Sequence, residues 1–121
     1  MRILVVDDDP FAAEMVAAVL EDGGCDAIVV DGAGPAQTVL NADKDFDAIV
    51  SDMNMPGQSG MELFRALRAQ GSSVPFILLS ADDPDVLAQR EPRLDACIAK
   101  DADLETSLMV TLADVLLPPA D

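Results

Sequence analysis

Short apolar runs alternate with longer helical patterns along this chain, which restricts it to an α/β domain with a parallel sheet. Strands are expected over residues 2–6, 25–30, 47–51, 75–79 and 96–99. The first is β-branched and apolar on both faces, as a central strand covered on both sides must be. Helices are expected over residues 10–22, from near Pro35, and over 60–70, 84–89 and 102–117. Phe11, Met15, Val19 and Leu20 mark the apolar face of the first helix, and Leu104, Leu108, Leu112 and Leu116 that of the last. Five βα units result, with no repeat and no low-complexity segment.

The 121 residues suit one domain, and 50% hydrophobic content is enough for a core. The first apolar run passes straight into Asp7, with no cleavage pattern and no bilayer-length segment, so the chain reads as soluble and cytoplasmic, away from membranes. Cys25 and Cys97 give no metal spacing and fall in strands expected at opposite sheet edges, which makes them two apolar thiols rather than a disulfide. A formal charge of −16, from 23 acidic and 7 basic residues, argues against direct nucleic-acid binding, where affinity comes from neutralising phosphates. Pro118 and Pro119 end the last helix, so residues 1–117 read as the domain and 118–121 as a tail or the start of a linker.

Four of the apolar runs stop on a polar residue: Asp7 and Asp8, then Ser51 and Asp52, then Ser80, then Lys100. In a parallel sheet these groups gather at the carboxyl edge, where open α/β sheets bind ligands. Asp9 precedes Pro10 and is explained as a helix N-cap; Asp7 and Asp8 are not. Bringing Asp52 beside them costs about 4 kcal/mol per like-charged pair at ~4 Å and an effective dielectric of ~20. Several such pairs would erode much of a domain's ~5–15 kcal/mol stability unless protons or a cation offset them. A hard divalent cation such as Mg²⁺ is the economical answer, because it accepts carboxylates and leaves room for a phosphoryl oxygen. Lys100 then adds a point charge and Ser80 a hydroxyl, the set that phosphoryl transfer needs, with Asp52 as nucleophile. Each residue alone has a plainer explanation as a turn, a cap or a surface charge. Four matching strand ends together do not.

Ile3-Leu4-Val5-Val6-Asp7-Asp8-Asp9-Pro10, Asp52-Met53-Asn54-Met55-Pro56-Gly57-Gln58-Ser59-Gly60, Ser80-Ala81 and Cys97-Ile98-Ala99-Lys100 resemble the signatures of the response-regulator receiver domain of two-component signalling. The resemblance covers nearly the whole chain. It implies a flavodoxin-like, doubly wound parallel sheet of order 2-1-3-4-5 flanked by five helices. It implies that Asp52 is the phosphoacceptor, and that Asp8, Asp52 and the backbone carbonyl of Asn54 hold Mg²⁺, with Asp7 acting partly through metal-bound water. Ser80 matches the switch hydroxyl, Lys100 the lysine that pairs with the phosphoryl group, and Ala81 the small residue that leaves the site open. The implied donor is a phosphohistidine on a histidine kinase or histidine phosphotransfer protein. The product is a signalling state that switches partner binding or passes phosphate along a relay, so "enzyme" fits only loosely.

The chain departs from the family pattern twice. Asp101 follows Lys100 where proline is usual, and a non-proline cis bond costs ~2.5–4 kcal/mol, so a trans bond and a reshaped loop are expected. Cys97 stands where many receivers carry the aromatic residue that reports phosphorylation. Output is therefore expected through the Ser80 loop and the short helix at Pro84. Two other classes compete with the receiver reading. A phosphatase of the haloacid dehalogenase type would place its nucleophile in Asp7-Asp8-Asp9 and leave Asp52 without a task. A phosphate-independent binding module would have no need of Asp7, Asp8, Asp52, Ser80 and Lys100 together.

Overall fold

The computed structural model describes residues 1–43 and 45–116. The proposed tail at Pro118 and Pro119 lies outside them. Ten elements alternate along the chain: β1 (Arg2–Val6), α1 (Pro10–Asp22), β2 (Asp26–Val30), α2 (Ala33–Ala42), β3 (Ala48–Asp52), α3 (Gly60–Ala69), β4 (Phe76–Ser80), α4 (Pro84–Arg90), β5 (Ala96–Ala99) and α5 (Leu104–Leu116). The strands are all parallel, in the order β2-β1-β3-β4-β5. Strand order reverses beside β1, and the crevice at such a switch point lies outside the ends of β1 and β3.

Alternation along each strand divides the core into two layers. Ile3 and Val5, with Val50, Ile77 and Leu79, pack against Ala13, Val16 and Leu20 of α1 and Leu108 and Leu112 of α5. Leu4 and Val6, with Ile49, Phe76 and Leu78, pack against Ala36 and Leu40 of α2, Leu63, Phe64 and Leu67 of α3, and Leu87 of α4. β3 and β4 are buried along their whole length, so their carboxyl ends cannot move without disturbing both layers.

The helices start where their caps dictate. Asp9 accepts from the Phe11 N–H with Pro10 in the first turn, as expected, and Ser59 and Glu62 form a reciprocal capping box on α3. Several boundaries differ from the sequence expectation. β3 and β4 each run one residue further, to Asp52 and Ser80, because the parallel ladder continues through Asp52 opposite Leu79 and Ser80 opposite Ala99. The apolar face of α1 also needs correction. Leu20 is buried and Val19 packs beside it as expected, but Phe11 is 82% and Met15 53% exposed, and the rest of the inner face is built from the smaller Ala13, Val16 and Ala17. No peptide bond among the described residues is cis, so Asp101 follows Lys100 through a trans bond. Cys25 and Cys97 are free and half-buried, beside and on the two edge strands respectively.

Candidate functional site

At the carboxyl edge of the sheet, Asp7, Asp8 and Asp52 each offer an oxygen within 4.8 Å of the others. Asp7 and Asp52 are buried and Asp8 is exposed, so the cluster has two fixed carboxylates and one that faces solvent. Asp7 Oδ1 accepts the Asp9 N–H at 3.0 Å, which ties the end of β1 to the start of α1. Burial above all, and then the Asp52 and Asp8 charges, push the Asp7 carboxyl above its ordinary value; the Asp9 N–H and Lys100 act against that rise. Crowded carboxylates of this kind are a donor set that a hard cation relieves.

Lys100 enters from just beyond β5. Its backbone N–H donates to the Ser80 carbonyl at 2.8 Å, which holds it against the end of β4. From there its Nζ reaches Asp52 Oδ1 at 2.5 Å and stands 3.8 Å from Asp7 Oδ2. One ammonium therefore faces two of the three carboxylates.

Ser80 lies between these strands and is fully buried. Its Oγ accepts the Asp82 N–H at 2.9 Å, so the hydroxyl is engaged with the turn that leads into α4. Ala81 is exposed beside it. Asn54 is exposed in the loop two residues past Asp52. Asp9, the residue set aside from the sequence, stays outside the cluster as a cap.

The structure gives tasks to two residues that the sequence named without one. Ser51 Oγ donates to the Asp52 carbonyl oxygen at 3.0 Å. Gly60 N–H donates to the Met53 carbonyl at 2.9 Å, bringing the first turn of α3 onto the end of β3. A side chain at Gly60 would overlap the Asp52 carbonyl oxygen and approach Leu78 Cδ1 to 2.7 Å and Ser51 Oγ to 3.0 Å. Gly60, the first residue of α3, is thus a close-approach position that fixes the backbone of the acidic strand end.

A second ionic cluster sits away from this edge. Glu91, buried after α4, accepts two bonds from Arg93 at 2.8 and 3.0 Å and one from Arg65 at 3.0 Å. Those guanidiniums, Arg93 foremost, bring its pKa down to about 2. Cys97 is different in kind: burial pushes its thiol above its ordinary value, which disfavours the thiolate.

Fold and site define a doubly wound, flavodoxin-like α/β domain with three carboxylates and an ammonium at its carboxyl edge. The chain belongs to the response regulator receiver domain family, whose model matches residues 3–111. It is 39% identical over 101 residues to the DNA-binding response regulator MtrA of Mycolicibacterium smegmatis, covering 82% of this chain and 43% of that protein. It is 34% identical over 110 residues to the nitrate/nitrite response regulator NarP of Escherichia coli, covering 88% of this chain and 51% of that one. The chain thus spans about half the length of these curated relatives or less. Among solved structures, the Vibrio cholerae chemotaxis protein CheY4 is 27% identical with a TM-score of 0.82, covering 95% of this chain and 98% of that one. The Thermotoga maritima response regulator TrrA, in complex with Mg²⁺ and a beryllium fluoride, is 25% identical with a TM-score of 0.85, covering 95% of this chain and 98% of that one. Receiver domains are the phosphoacceptor domains of response regulators, phosphorylated by histidine kinases. No helix among the described residues is long and apolar enough to cross a membrane.

Proposed function

We propose that this chain takes a phosphoryl group from a phosphohistidine onto Asp52 and uses the resulting aspartyl phosphate as a signalling state. The observation that carries this is the convergence of Asp7, Asp8, Asp52 and Lys100 from three strand ends onto one carboxylate-rich point. In the transfer, an Asp52 carboxylate oxygen forms a bond to phosphorus as the phosphorus–nitrogen bond of the donor breaks, and the departing imidazole takes up a proton. Lys100, already bonded to Asp52, balances the charge that arrives on the phosphoryl oxygens. Asp7 and Asp8, together with Asp52 and the Asn54 backbone carbonyl, would hold Mg²⁺. When bound, that ion neutralises phosphoryl charge and the carboxylate repulsion at once.

Ser80 is the readout residue in this account. Its hydroxyl leaves the Asp82 N–H to bond the phosphoryl group, which frees the turn before α4. α4 is short and buries only Leu87, so little packing opposes that shift. The partners are a histidine kinase or a histidine phosphotransfer protein upstream and a protein partner downstream. The description of MtrA as DNA-binding belongs to that longer relative. Intact mass measured after incubation with acetyl phosphate and Mg²⁺ tests the reading. One phosphoryl adduct on the wild type and none on Asp52→Asn supports it; no adduct, or equal adducts on both, contradicts it.

A further inference from the structure

The chain carries 7 basic residues against 23 acidic ones, and the basic ones are not spread evenly. Arg65 and Arg68 of α3 meet Arg90 and Arg93 at the end of α4 and the loop into β5. Arg65 bonds Glu91 at 3.0 Å and the Arg90 carbonyl at 3.5 Å, while Arg93 bonds Glu91 at 2.8 Å. Arg68 pairs with Asp95 at 3.2 Å and lies over the Phe64 ring at 4.6 Å, with Arg93 at 5.7 Å from the same ring. Three guanidiniums, those of Arg65, Arg68 and Arg93, therefore engage two carboxylates, and Arg90 adds a fourth basic side chain at the end of α4. Elsewhere the balance is reversed: Arg2 pairs with Asp43, and Lys100 is shared between Asp52 and Asp7.

The guanidiniums are both held and available. Glu91 is 5% exposed and fixes the forks of Arg93 and Arg65, yet the side chains of those arginines are 61% and 47% exposed. A guanidinium has five N–H donors, so each keeps donors for a second anion in a fork already oriented by the first. The Arg90 side chain is exposed and makes no ion pair among the described residues. At physiological salt, charges more than about 8 Å away are largely screened, so an approaching group meets the local positive patch rather than the net negative charge.

We propose that this α3/α4–β5 arginine patch is a docking surface for a partner protein that presents a short acidic segment, a few carboxylates flanked by neutral residues. A nucleic acid fits less well, because its phosphates continue at about one charge per 1.7 Å of duplex and would run onto the acidic surface around the patch. A second copy of the chain is opposed by the mutual repulsion of two molecules of net charge −16, and self-association abolished by Arg90→Glu would count against the proposal. The patch lies toward the opposite edge of the sheet from Asp52, since α4 ends and β5 begins there.

Titrating ¹⁵N-labelled protein, with no phosphodonor present, with a short glutamate–glycine peptide, its glutamine counterpart and a short DNA duplex tests this. The glutamate peptide is expected to shift resonances of Arg65, Arg68, Arg90 and Arg93 and their neighbours, with an effect that fades as salt is raised. Arg90→Glu is expected to weaken that binding by about fivefold or more while leaving the thermal midpoint unchanged. Absent shifts, equal shifts with the glutamine peptide, undiminished binding by Arg90→Glu, or tighter binding of DNA would each overturn the proposal. None of these outcomes bears on whether Asp52 accepts phosphate.

Discussion

The ammonium of Lys100 bonds the carboxylate of Asp52 across an intervening strand. Lys100 follows β5, Asp52 ends β3, and β4 with Ser80 at its tip runs between them. Ser80 thus lies between the two charged groups whose balance the proposed phosphorylation would change, and its carbonyl is what anchors Lys100. The acidic cluster and the proposed readout residue are joined by a backbone hydrogen bond.

Replacing Lys100 by methionine removes the only ammonium at the cluster among the described residues and leaves Asp7 and Asp52 facing each other. The expected result is a loss of about 1–3 kcal/mol in urea unfolding, the scale for a covered charged group deprived of its partner. Adduct formation from acetyl phosphate should slow by about a hundredfold. Wild-type rates in this variant would remove Lys100 from the chemistry.

Asp7 makes the opposite prediction for stability. Its carboxyl is raised above 3.8 in the folded state, so the fold holds that proton more tightly than the unfolded chain does. Stability therefore falls as pH climbs through 3.8 to the raised value, and the deficit persists at neutral pH. Asp7→Asn keeps an oxygen for the Asp9 N–H and removes the charge, so its thermal midpoint in metal-free buffer should exceed that of the wild type. Adding Mg²⁺ should then stabilise the wild type more than the variant. A lower midpoint for Asp7→Asn, or identical Mg²⁺ responses, would contradict this account.

Gly60→Ala tests whether the approach of α3 to the end of β3 matters. The methyl group would meet backbone at Asp52 and side chains at Leu78 and Ser51, all of them buried. Overpacking of this kind costs about 1–3 kcal/mol, and the displaced strand end should slow phosphorylation as well. An unchanged denaturation midpoint would show that the contact yields easily.

Glu91 governs an acid limb of its own. Its pKa drops from 4.5 to about 2 on folding, so its contribution is fully present above 4.5 and is lost as pH falls from there through about 2. Glu91→Gln should be less stable than the wild type at neutral pH, and its stability should fall less steeply between those limits. Parallel stability curves over that window would mean that the arginines do not favour the ionised form.

The acidic site was legible because it lies at strand ends, and a strand end is marked in sequence by the abrupt change from apolar run to Asp7, Asp52, Ser80 or Lys100. Sheet order came with the family resemblance, since periodicity alone says nothing about which strands are neighbours. The Glu91 cluster was not legible. Arg65 and Glu91 are 26 residues apart and meet only after α3 and α4 pack, so no local pattern announces them. Phe11 and Met15 misled for a related reason: hydropathy favours the largest apolar residues, whereas the space between α1 and the sheet admits Ala13 and Ala17. Gly60 was visible as a letter of the motif, but its closeness to the Asp52 carbonyl is a property of packing.

Asp52, rather than Asp7 or Asp8, is proposed to carry the phosphoryl group. Reducing the phosphorylated protein with borohydride converts an acyl phosphate to homoserine, and peptide mapping by mass spectrometry then locates the altered residue. The account predicts homoserine at position 52 alone, formed only when phosphodonor and Mg²⁺ are both present. Homoserine at position 7 or 8, or at none of the three, would contradict it.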